Sequence, residues 1–180
     1  MKIKRIKKDY TGTVLSKDHS IRGKQFEQVM SRDGWSINQG PGADLQQIGI
    51  EVKTKDVNSG SANSVGTITV QDICSLSYKQ THIFEKLQKQ FRITTADGIV
   101  TNQDLFDFTD PYIQEKIEEA YEIGRQKIIN GDRSSYIRGS EYGHFEQRTE
   151  NSYVFRIPVG SMKKIESMSK STFNDFFEYK

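Results

Sequence analysis

The 180-residue sequence predicts an α/β fold, a single domain in which a central mixed β-sheet is flanked by helices. The length allows one hydrophobic core and is too short for two. Residues 48–54 and 152–159 alternate between apolar and polar side chains, which is typical of strands. Residues 20–32 and 110–128 carry apolar stripes at helical spacing. Because helical and strand-like segments mix without a regular βαβ rhythm, we expect a mixed sheet.

Composition excludes several classes of protein. Apolar residues make up 34% of the chain and charged residues 28%, and 10 Phe and 8 Tyr argue against disorder. No apolar run approaches the roughly 20 residues that span a bilayer, and the charged N-terminus lacks a signal-peptide core. A single cysteine, Cys74, excludes an intrachain disulfide framework and a cysteine zinc cluster. We therefore expect a cytoplasmic protein without a membrane partner.

The charge is unevenly distributed. Net charge is only +2, but residues 97–122 contain eight acidic residues and one basic residue, so the rest of the chain carries +9. Five of the basic residues outside that acidic stretch lie in a predicted N-terminal arm, residues 1–10. A molecule with an acidic face and a basic remainder is able to hold a polyanion on its basic side. The alternative interpretation is that the acidic stretch is a solvated helix.

Three helices are predicted. The first runs from Ser20 to Arg32 and the second from Thr81 to Gln90. The third opens at Asp110-Pro111, because Asp is a favourable N-cap and Pro a favourable first helical residue, and Gly131 is placed to end it.

Strands are predicted at residues 35–38, 48–54, 65–73, 91–95, 98–108 and 152–159. We expect the segment 65–73 to pair with the strand before it, across a polar loop at 58–64. The tail, 171–179, has three Phe at helical spacing, which is typical of core packing.

The stretch from Pro41 to Lys53 carries the strongest chemical signal. Residues two apart on a strand share a face, so Glu51 and Lys53 point together, away from the apolar face. Asp44 follows a glycine turn that is able to fold it back beside Glu51. Two carboxylates repel each other and favour a bound cation, and oxygen ligands with open water positions suit Mg²⁺, or Mn²⁺ in its place. Such a centre has what the hydrolysis of a phosphodiester needs. The alternative interpretation is that Glu51 and Lys53 lie on a solvated face of the strand.

The flanking segments add a resemblance to a known family. The spacing Asp44-x6-Glu51-x-Lys53 resembles the core motif of the MutH-type endonucleases, within the PD-(D/E)XK nuclease superfamily. Residues 22–27 are similar to the first helix of that family, and residues 81–87 to its helix with a second functional lysine. Weaker similarity continues through residues 128–131 and 152–157 into the tail.

The resemblance implies a restriction-endonuclease-like fold and a Mg²⁺-dependent DNA endonuclease. It implies that Asp44 and Glu51 are the metal ligands and that Lys53 acts on the attacking water. Glu27 would support the metal site, and Lys86 would contact the scissile phosphate. From the residues alone, Glu27 and Lys86 are equally well explained as charges on helix surfaces.

A DNA-recognition segment is expected between residues 133 and 148, within a recognition and C-terminal part that spans about 130–180. Arg133, Arg138 and Arg148 are its candidate DNA contacts, since Arg pairs bidentately with guanine. Arg22 is a further candidate in the first motif helix.

The favoured function is a type II restriction endonuclease that cuts double-stranded DNA at a short site. It would act as a monomer or homodimer, with a DNA methyltransferase in the same system. Two alternatives are a MutH-like nickase that a repair partner activates and an inactive DNA-binding module. Retention of Asp44, Glu51 and Lys53 argues against the inactive module.

Overall fold

A computed structural model of the chain describes residues 9–45, 49–58 and 63–171. Most of the predicted N-terminal arm and almost all of the Phe-rich tail lie outside these ranges. The chain folds as two compact units. The first comprises Met1–Ser59, Lys89–Asp107 and Lys170–Lys180, and the second comprises Gly60–Gln88 and Phe108–Ser169.

Strands and helices alternate along the described residues. The strands are β1 (Ile50–Asp56), β2 (Asn63–Thr69), β3 (Lys89–Ala96), β4 (Ile99–Asp107), β5 (Tyr136–Ser140), β6 (Gly143–Thr149), β7 (Ser152–Ile157) and β8 (Lys170–Ser171). The helices are α1 (His19–Arg32), α2 (Val70–Ser75), α3 (His82–Lys86), α4 (Pro111–Ile129) and α5 (Val159–Ser169), and Tyr78–Gln80 forms a 3₁₀ turn. None of the described helices is both long and apolar enough to cross a bilayer.

The first unit holds the mixed sheet, in the order β1-β3-β4-β8. β1 runs parallel to β3, and the other pairs are antiparallel. Ile50 and Val52 of β1 belong to a buried cluster that includes Phe26 of α1, whose ring meets the Tyr10 ring edge-on at 5.1 Å. Burial of each such side chain contributes about 1.5–3 kcal/mol. The alternation of β1 therefore turns Glu51 to the opposite face of the sheet.

The second unit holds an antiparallel sheet, in the order β2-β7-β6-β5. Its apolar face packs against α4, where the Tyr121 ring lies 5.2 Å from the Phe145 ring and 5.4 Å from the Phe155 ring. Gly124 permits this close approach, because a β-carbon there would lie 2.7 Å from ring atoms of Phe145. The core of this unit thus depends on a helix residue without a side chain.

Arg125 ties α2 to α4 within the second unit. Its Nε donates to the carbonyl of Ile73 at 2.7 Å and its Nη2 to the carbonyl of Cys74 at 3.1 Å. Its Nη1 lies 3.0 Å from Glu122, whose other oxygen accepts from the backbone N–H of Tyr78 at 3.1 Å. One guanidinium therefore satisfies two carbonyls at the end of α2 and a carboxylate of α4.

The α/β class and the mixed sheet flanked by helices are confirmed, and so are the helices at 20–32 and 110–128. The prediction of a single central sheet is wrong, because the described strands form two sheets. The pairing of segment 65–73 is the source of this error. β2 pairs with β7, and residues 70–75 form α2, which the Thr69 hydroxyl caps by accepting from Asp72 N–H at 3.1 Å.

Two further elements differ from the prediction. The helix predicted over 81–90 ends at Lys86, because Gln90 and Phe91 are taken up by the parallel ladder between β1 and β3. Residues 35–38 form no strand. Gly34 ends α1 with φ +95°, and the Asn38 side chain donates to the Pro41 carbonyl at 2.9 Å, which stabilises a loop instead.

Candidate active site

Asp44 is positioned by a loop that folds back onto β1. Gly42 has φ +100°, a left-handed conformation that glycine adopts at little cost. The N–H of Leu45 then donates to the carbonyl of Ile50 at 2.8 Å, and the two residues form an isolated β-bridge. Residues 46–48, which include Ile48, the first residue of the predicted strand, lie outside the described residues. The bridge sets Asp44 beside Glu51.

Asp44, Glu51 and Lys53 converge, as their spacing predicted. The N–H of Asp44 donates to Glu51 Oε2 at 3.3 Å, and the N–H of Val52 donates to Asp44 Oδ2 at 3.0 Å. The Lys53 ammonium lies 3.1 Å from Glu51 Oε1. The Glu51 side chain is only 2% exposed and that of Lys53 is 32% exposed, so the lysine forms the accessible side of the pair.

Negative charge accumulates around Asp44. Burial, then the neighbouring Glu51 carboxylate and, to a smaller extent, Glu27 of α1 raise the pKa of Asp44 to about 6. The hydrogen bond from Val52 and the charge of Lys53 act in the opposite direction. A cation beside Asp44 would stabilise its charged form.

The site offers two carboxylates as possible ligands of a cation. Among the described residues, no group of three or more His, Cys, Asp or Glu is arranged to hold a metal ion. Mg²⁺ rarely occupies such a cage, because it keeps several waters and is bound through one or two carboxylates together with substrate phosphates. The neighbouring carboxylates of Asp44 and Glu51 supply that smaller set.

The sheet adds two polar residues that the sequence analysis missed. In the parallel ladder Gln90 lies opposite Glu51, and Arg92 lies opposite Lys53. Both are 4% exposed, and Arg92 Nη2 donates to Gln90 Oε1 while its guanidinium stacks 4.8 Å from the centre of the Phe106 ring. No local pattern marks them, because only the pairing of β1 with β3 brings them to the site.

The two residues assigned by resemblance alone lie in different units. Glu27 is on α1 in the first unit, close enough to influence the pKa of Asp44. Lys86 is the last residue of α3 in the second unit, where its stem packs against Gly66 of β2. Their proposed roles remain predictions.

Two residues predicted as DNA contacts, Arg22 and Arg133, donate hydrogen bonds within the protein. Arg22 is 5% exposed and its Nη1 donates to the Lys17 carbonyl at 3.2 Å, and its contact with DNA stays a prediction. Arg133 Nη1 donates to the carbonyl of Ile128 at 2.6 Å and to that of Asp132 at 2.9 Å, which caps the end of α4.

The predicted recognition loop at 133–148 is largely a β-hairpin, because β5 and β6 pair. Arg138 lies on β5 opposite His144, whose ring stacks on Tyr136 with 4.7 Å between centroids. Arg148 lies at an irregularity near the end of β6. Arg138 and Arg148 are both exposed, and their contact with DNA remains a prediction.

No family model matches this chain, and no curated protein is significantly similar to it in sequence.

Proposed function

We propose that this protein is a Mg²⁺-dependent endonuclease of double-stranded DNA, acting as a type II restriction enzyme beside a protective DNA methyltransferase. One observation carries the hydrolytic part. Asp44 and Glu51 are hydrogen-bonded neighbours at the start of a strand, with the ammonium of Lys53 3.1 Å from Glu51. The choice of DNA as substrate depends on the resemblance to MutH-type endonucleases.

Asp44 and Glu51 would hold the metal ion, and Mn²⁺ would substitute for Mg²⁺. A metal ion held there would lower the pKa of a water and neutralise charge on the phosphate. The backbone N–H groups of Asp44 and Val52 fix the two carboxylates, so that little reorganisation is needed when the substrate arrives.

Lys53 acts on the nucleophile. Its ammonium, anchored by Glu51 and partly exposed, orients the attacking water, or in its neutral form the amine accepts the proton of that water. The water oxygen forms a bond to phosphorus in line with the ester oxygen that leaves. Each active centre thus breaks one phosphodiester bond.

Cleavage of an unmodified supercoiled plasmid in Mg²⁺ tests this proposal. We expect Lys53→Met to lower the single-turnover rate by about 10²–10⁴-fold, the usual contribution of a positioned acid–base group. Lys17→Met is the matched control, because Lys17 is 72% exposed and its ammonium pairs with Asp97 at 2.7 Å. Its rate should equal that of the wild type.

The products separate the candidate functions. Linear DNA with uniform ends supports a restriction enzyme. Slow nicking that an added repair factor accelerates supports the partner-activated alternative. Duplex binding without cleavage in Mg²⁺ or Mn²⁺ would refute the proposal and favour an inactive DNA-binding module.

A further inference from the structure

Lys55 continues the line of side chains that begins with Glu51 and Lys53. The ladder between β1 and β3 is unbroken from Ile50 to Asp56, so Glu51, Lys53 and Lys55 share one face of the sheet. Successive members of this row are about 6.6 Å apart along the strand. A lysine therefore follows the candidate active site at the next position of the same face.

Within the described residues, the charge of Lys55 is not used by another side chain. The Lys53 ammonium already contacts Glu51 at 3.1 Å. For Lys55, by contrast, the described part of the chain offers no ion pair or hydrogen bond, and its side chain is only half-buried. Its neighbour on β3 is the uncharged Thr94, whereas Lys53 stands opposite Arg92. The face thus changes from anionic at Glu51 to cationic at Lys53 and Lys55.

We propose that Lys55 binds the backbone phosphate adjacent to the scissile phosphate, an inference that rests on the proposed endonuclease function. A DNA strand carries one phosphate for each 3.4 Å of helix axis. The flexible four-carbon stem of lysine allows its ammonium to reach a phosphate of that backbone. Lys53 acts on the water that attacks the scissile phosphate, and Lys55 holds the strand in register beside it. Phosphate contacts of this kind position the duplex without reading its sequence.

A different role for Lys55 is protection of the sheet edge. β1 ends the described order of the mixed sheet, and lysines on edge strands prevent pairing with other chains. That role predicts self-association of a Lys55 variant and no change in DNA affinity.

Fluorescence anisotropy with a labelled duplex, in Ca²⁺ to prevent cleavage, distinguishes the two roles. Full-length wild type, Lys55→Gln, Lys55→Arg and Lys17→Gln would be titrated at four salt concentrations. We expect Lys55→Gln to raise Kd about 3–10-fold and to reduce the slope of log K against log salt by about 0.9, the value for one phosphate contact. Lys55→Arg should keep the wild-type slope, and so should the control Lys17→Gln.

An unchanged slope for Lys55→Gln would overturn the inference, with or without an increase in light scattering. Cleavage by the wild type, measured separately, distinguishes failure of the proposed endonuclease function from failure of the Lys55 assignment. If the wild type does not cleave but Lys55→Gln still reduces the slope, the endonuclease proposal fails and the phosphate contact stands. If the wild type cleaves and the slope does not change, only the Lys55 assignment fails. A wild type that binds no duplex at any salt would overturn both.

Discussion

Burial, and then the neighbouring Glu51 carboxylate, destabilise the charged form of Asp44 in the metal-free protein, so Asp44→Asn should stabilise it. The pKa of Asp44 is raised from 3.8 to about 6, a difference worth about 3 kcal/mol. Because Asp44 is only half-buried, solvent screening reduces this to ~1–2 kcal/mol. The substituted side chain still offers an oxygen to the Val52 N–H, so the hydrogen bond is kept. The expected rise in Tm is ~2–8 °C.

The effect should depend on pH with a defined sign. The folded state binds a proton at Asp44 more tightly than the unfolded state, so the contribution of Asp44 to wild-type stability falls as pH rises from about 4 to about 6. The variant lacks this titration. The gain in the free energy of unfolding should therefore be fully present above pH 6 and disappear below pH 4. Urea unfolding in EDTA at pH 4, 5, 6 and 8 measures it.

Asp18→Asn is the matched control. Asp18 caps α1, and its hydrogen bonds from Ser20 lower its pKa, so this variant should be no more stable than the wild type at pH 8. Added Mg²⁺ should stabilise the wild type and not Asp44→Asn, because only a ligand of the folded state shifts Tm. If Asp44→Asn is less stable than the wild type in EDTA at pH 8, the electrostatic reasoning is wrong.

The remaining predictions concern the second unit. Arg125→Ala should lower the free energy of unfolding, measured in urea, by ~2–4 kcal/mol, because two carbonyls and Glu122 lose a half-buried partner. A loss below about 0.5 kcal/mol would contradict this role of Arg125. Gly124→Ala should destabilise by about 1–3 kcal/mol through its overlap with Phe145, whereas Gly160→Ala, with open space on α5, should stabilise by about 0.5–1 kcal/mol. Thermal melts of both glycine variants test these two expectations. If both variants change Tm in the same direction, the packing argument is refuted.

Local sequence patterns predicted α1, α4 and the three polar residues of the candidate site. The apolar stripe and the Asp110 cap of α4 are properties of neighbouring residues, and so is the alternation that puts Glu51 and Lys53 on one face. A glycine turn before Asp44 sufficed to predict that it folds back to Glu51. These features follow from backbone periodicity and turn chemistry, which act over a few residues.

Long-range pairing decided the rest. The parallel register of β1 with β3 brought Gln90 and Arg92 beside Glu51 and Lys53, and the pairing of β2 with β7 divided the strands between two sheets. A strand segment carries no local record of its partner, because backbone hydrogen bonds are the same for any neighbour and the choice depends on which apolar faces are buried together. Arg22 is also buried in the folded protein, which could not be predicted from its position in a helix with many charged residues.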